Sequence, residues 1–154
     1  MSDMRPTTQG IFPAVMTETY ANESSQAFWD AAKQDKLVAP KCTECGTFRL
    51  PPSPFCFNCR NRAIAWTVLP GTGTVYSFTI VRHALSPGLS PAVPYAAGVV
   101  ELDGTQGAGA RMIVNIIECD VETLKIGDKV EVVFEHIAES VTEMAVPRFR
   151  PIRS

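Results

Sequence analysis

With 154 residues, 45% of them hydrophobic and 19% charged, the chain can build about one ordinary domain, or a small domain plus a mini-domain that needs a staple. A formal net charge of −2 gives no basic excess and argues against nucleic acid as a partner. No stretch approaches the ~18 apolar residues of a membrane span, and the opening MSDMRPTTQGIFPAVM lacks a secretory pattern, so a soluble cytoplasmic protein is expected.

Residues 1–23 read as an irregular arm whose Ile11, Phe12, Val15 and Met16 have no regular face to bury them. A short helix is expected over residues 26–36, capped by Ser24 or Ser25, with Phe28, Trp29 and Ala32 on one face. That face either packs on the rest of the chain or docks a partner, which makes Phe28 and Trp29 candidate interface residues. The cysteine segment follows, from Pro40 to about Arg62. Strands are then expected over 64–68, 74–83, 95–102, 111–118 and 129–136, alternating with period two in the first, second and last and nearly continuous in apolar residues over 111–118, which suits a central strand. In the second of these, Tyr76, Phe78 and Ile80 would share one face, and Gly71 and Gly73 before it would supply a turn or bulge. The proline-rich stretch 84–94 is a long loop, Asp103-Gly104 a turn, and 146–154 an extended basic tail. Five short strands, with a helical link before the last, predict a Greek-key barrel of the OB type. The predicted class is mainly β, divided into arm and helix (1–37), zinc ribbon (38–62) and OB-fold domain (63–154).

Chemistry concentrates in Cys42-Thr-Glu-Cys45 and Cys56-Phe-Asn-Cys59, ten residues apart. Two residues between paired cysteines let both thiolates converge on one ion from a tight turn, and two such turns facing each other make a tetrahedral four-sulfur site. Gly46 frees the backbone to bend toward sulfur. Lys41, Arg49, Arg60 and Arg62 flank the site and can offset its charge. In a reducing compartment the pattern favours one structural zinc per chain over disulfides, and four thiolates also accept iron. With every position a protein ligand, no water site is left for zinc catalysis. Cys119 stands outside the pattern and reads as a buried, inert thiol.

His83 and His136 sit at strand ends without a recognisable nucleophile, and no phosphate loop, GxSxG or HExxH occurs, so no catalytic residue is assigned. In the tail, Arg148 and Arg150 face one way in an extended chain. They either pair with Glu131 and Glu135 or contact an anion such as a cofactor phosphate.

The blocks AFWDAAKQDKLV, PKCTECGTFRLPPSPFCFNCR, WTVLPGTGTVYSFT and LKIGDKVEVVFE, in that order, resemble the DUF35 family of rubredoxin-like zinc-ribbon and OB-fold proteins. The resemblance covers nearly all of the chain after residue 24, with Arg60 standing where glycine is usual in the second knuckle. It implies a non-catalytic accessory subunit of a thiolase or thiolase-like aldolase complex acting on acyl-CoA. It carries zinc ligation onto Cys42, Cys45, Cys56 and Cys59. It further implies a thiolase-superfamily catalytic partner, two copies of each chain, and a coenzyme A thioester at their interface, whose phosphate is then the anion that the tail reading offers to Arg148 and Arg150. The competing expectation is a nucleic-acid-binding zinc-ribbon protein that stacks bases on Tyr76 and Phe78.

Overall fold

In the computed structural model, which describes residues 21–105, 109–137 and 143–153, one α-helix precedes seven strands. Helix α1 (Gln26–Ala32) is shorter than its apolar spacing predicts, because a Schellman turn stops it. Asp35 takes a left-handed φ of 57°, the Asp35 N–H bonds Ala32 O at 2.9 Å, and the Lys36 N–H bonds Ala31 O at 3.0 Å. At the other end the expected serine cap is replaced by a reciprocal pair. The Ser25 N–H donates to Asn22 Oδ1 and the Asn22 N–H to Ser25 Oγ, so the entering turn closes one step earlier. The arm residues Ile11, Phe12, Val15 and Met16 lie outside the described residues.

Strands β1 (Val38–Cys42) and β2 (Ile64–Val68) pair antiparallel as a separate two-stranded sheet, with Cys42 opposite Ile64. The remaining strands are β3 (Thr72–Val81), β4 (Tyr95–Leu102), β5 (Arg111–Ile116), β6 (Lys129–Ile137) and β7 (Met144–Pro151). They close a barrel in the order β3-β4-β5-β7-β6. The chain is thus mainly β, with a five-stranded OB-type barrel as its sequence predicts. Strand membership, however, is corrected at both ends. The stretch 64–68 belongs to the ribbon sheet, and the basic tail supplies the fifth barrel strand. Phe149, fully buried on β7, belongs to the same core as Val130 and Val100, and its carbonyl takes the Ile117 N–H at 2.7 Å where β7 meets β5 in parallel.

The long β3 also differs from its simple alternation. Val75 pairs with Val100 and Ser77 with Val99, which leaves Tyr76 as the extra residue of a bulge. Val75 therefore points inward, whereas Tyr76 is half exposed beneath the Arg111 guanidinium, 3.7 Å from its ring centre. Phe78, expected on the same face as Tyr76, packs instead against the core. Gly73 sits where a Cβ would come within 2.5 Å of Glu101 O, so β3 and β4 approach closely there. One core runs through the molecule, joining Phe28 of α1, Leu37, Phe48 and Leu69 to the barrel interior.

Candidate metal centre

The ribbon hangs from the β1–β2 sheet as two turns of the same design. In the first, the Gly46 N–H returns to Cys42 O at 3.0 Å and the Cys42 N–H bonds Thr47 O at 2.9 Å. In the second, the Arg60 N–H returns to Cys56 O at 2.8 Å and the Cys56 N–H bonds Asn61 O at 2.9 Å. Each turn needs a left-handed residue after its second cysteine. Gly46 supplies φ 74° without strain, and Arg60 adopts φ 64° against the preference of a side chain.

Facing each other, the turns bring the four sulfurs within 4.8 Å of one another. The closest approaches, 3.5 Å, cross between the turns, from Cys42 to Cys59 and from Cys45 to Cys56. A tetrahedron with bonds of about 2.3 Å to zinc places its sulfurs roughly 3.8 Å apart, so this donor set suits a zinc ion in both number and spacing. Cys42 and Cys56 are buried, while Cys45 and Cys59 border solvent. The Thr47 hydroxyl and N–H and the Asn58 side chain hold the Cys45 thiol down to about 5. At Cys59 the Asn61 N–H favours the thiolate, but burial and the three neighbouring sulfurs outweigh it and push the thiol up to about 12. Sulfurs this close cannot all ionise together without a cation among them, which is the property of a metal-binding cluster.

The flanking cations have separate tasks. Lys41 lies over the Phe48 ring and Arg62 over Phe55, at 5.6 and 4.5 Å from the ring centres. Arg49 points inward and is 1% exposed. Sequence reasoning placed it among the flanking charges and missed its burial. The only local hint is its position between Phe48 and Leu50, in a stretch that must fold under the knuckles.

The other candidates are dispersed. Phe28 is buried in the chain's own core, the first of the two readings of this face; Trp29 packs edge-on against it at 5.1 Å and is only partly buried. Arg148 is 7% exposed, with Nε on Glu135 Oε2 at 2.9 Å and Nη1 on Asn115 Oδ1. Arg150 bonds Glu131 at 2.9 Å and Glu118 at 3.1 Å. Both guanidiniums thus meet groups of the barrel wall, the first of the two alternatives read from the tail. His136 Nε2 lies 2.6 Å from Asp35 Oδ1 and ties β6 to the end of α1. The Cys119 thiol is pushed up by burial and then by Asp120 and Asp128, which makes it a poor nucleophile. Tyr76 and Phe78 lie on different faces and form no stacking platform, against the nucleic-acid alternative.

Two family models match: a ChsH2 rubredoxin-like zinc ribbon domain over residues 29–65 and a ChsH2 C-terminal OB-fold domain over 66–135. A DUF35 domain-containing scaffold protein of Methanocaldococcus jannaschii is 30% identical over 122 residues, 77% of this chain and 83% of the relative. A probable enoyl-CoA hydratase alpha subunit of Thermomonospora curvata is 33% identical over 140 residues, 90% of this chain; the chain spans only 41% of that relative's length. Among solved structures, a chain of an Ltp2-ChsH2(DUF35) aldolase superposes with a TM-score of 0.72 at 30% identity, covering 87% of this chain and 98% of that one.

Proposed function

The chain belongs to the DUF35 family of zinc-ribbon and OB-fold proteins, and on that premise we propose that it is a non-catalytic accessory subunit of a thiolase-like acyl-CoA complex. The observation that carries this reading is the match, over 87% of this chain and 98% of the other, to a chain of a solved Ltp2-ChsH2(DUF35) aldolase. A relative named for a CoA-thioester hydratase points to the same substrate class. In this reading Cys42, Cys45, Cys56 and Cys59 hold one zinc ion, which supplies cross-linking and no chemistry. The catalytic groups belong to the partner, and this chain braces it, with two copies of each in the complex. The thioester lies at the seam between the chains. Its phosphates find anchors other than Arg148 and Arg150, whose charges the barrel carboxylates already meet. Trp29 remains a proposed partner contact. The pairing of β2 with β1 favours ending the ribbon unit after Val68 instead of at residue 62.

The test is a tagged pull-down from the native host, with mass spectrometry and metal analysis of the eluate. A thiolase-like protein in fixed ratio, with about one zinc per copy of this chain, supports the proposal. Zinc without such a protein, in repeated captures under mild salt, overturns the accessory-subunit reading and leaves the metal site standing.

A further inference from the structure

Arg49 is the most deeply buried charged side chain of the ribbon, and none of the ion pairs among the described residues includes it. Its Nη1 donates to the carbonyls of Ser53 and Asn61, at 3.2 and 3.4 Å. Its Nη2 donates to those of Arg62 and Ala63, at 3.0 and 3.1 Å, while Nε is buried without an acceptor. These carbonyls are not scattered. Ser53 precedes Cys56 by three residues, and 61–63 follow Cys59 directly after Arg60, so one guanidinium grips both stems of the second knuckle. The Asn61 carbonyl it touches also closes that knuckle by accepting the Cys56 N–H at 2.9 Å. The Ala63 carbonyl also accepts the Thr43 N–H of the first knuckle, at 3.3 Å. The Arg49 backbone is itself pinned to β1, its N–H on Pro40 O at 2.8 Å.

A buried cation held only by neutral carbonyls is costly unless a negative centre lies nearby. Four thiolates around a divalent ion provide such a centre, with a net charge of −2, in the same small ribbon. We propose that Arg49 is a positioning residue for the metal. It sets the second pair of sulfurs opposite the first before the ion arrives, and its charge balances the loaded centre. This rests on the reading of the four cysteines as zinc ligands and goes beyond it by naming what organises them.

The test uses the full chain as wild type, R49K and R49M. Zinc affinity is read by competition with a chromophoric chelator, geometry by the absorption bands of the cobalt-loaded protein, and folding by circular dichroism. The expected result is about one zinc in the wild type and a 10–100-fold loss of affinity in R49M. In R49K affinity recovers only in part, because an ammonium cannot span four carbonyls as the planar fork does. Cobalt bands broaden in both variants while the barrel signal stays. Folded variants with wild-type affinity and wild-type cobalt bands would overturn the proposal. Should R49M fail to fold, R49K decides alone by the same criterion. A wild type that takes up no zinc removes the premise, and the proposal with it.

Discussion

The ribbon and the barrel share one continuous core, yet they are held by different means. The ribbon has two strands, too few to be stable alone, and its second knuckle leaves Phe55 and Phe57 open to solvent, at 48% and 78% exposure. Its order comes from point ties, namely four converging sulfurs and one buried guanidinium. The barrel is held by area. Its five strands close on themselves, and Ala96, Val100, Val130 and Phe149 show no exposure at all. Point ties concentrate stability in a few residues and make it conditional on an ion, whereas packing spreads it over many contacts. Among the described residues, the buried Arg148–Glu135 pair is the barrel's departure toward the ribbon's style.

The sharpest way to break the contrast is Cys56→Ser. Structural zinc sites contribute on the order of 10 kcal/mol of binding free energy at neutral pH, so the variant should lose its metal. Residues of β1, β2 and both knuckles should then lose amide-exchange protection while β3 to β6 keep theirs. Equal loss in both regions would mean that the shared core couples them into one unit. Next in size, Phe149→Ala should cost about 3–5 kcal/mol in urea unfolding and act on barrel and ribbon alike, since it opens the common core. Glu135→Ala should cost about 3 kcal/mol, because it strips the carboxylate from a buried guanidinium; Glu131→Ala, at an exposed pair, should stay within about 1 kcal/mol. Gly73→Ala should cost about 1–3 kcal/mol, because the added carbon meets the Glu101 carbonyl. The smallest effect should be a gain. Arg60→Gly relieves a left-handed side-chain residue and should slow chelator-driven zinc loss, with up to about 1 kcal/mol of stabilisation.

The metal site was the most legible part of the sequence because its signal is local. Cys-x-x-Cys encodes a turn, and Gly46 marks the left-handed residue that follows it. Arg60 in the equivalent position shows no such mark, since the turn tolerates it at a cost that composition does not display. Strand β6 was legible from its period of two. Strand β7 was not, since Met144–Pro151 contains two prolines and two arginines and reads as a solvated tail. Those arginines can lie in a barrel only because Glu135, Asn115, Glu131 and Glu118 arrive from β6, β5 and the turn after β5 to meet them. The bulge at Tyr76 escaped for a related reason: alternation tells which residues differ in face, not where one is inserted.

By itself, then, the sequence determined what depends on neighbours along the chain: four cysteines in two knuckles, strands by alternation, turns by Gly and Asp. The tertiary structure alone decided what depends on partners far along it. It paired 64–68 with 38–42 instead of the barrel, it drew the basic tail into the wall, and it turned Arg49 inward on carbonyls up to fourteen residues away. The physical reason is common to all three. A buried charge or an edge strand is stable only when its partner is in place, and no local pattern records which partner the closed fold will bring.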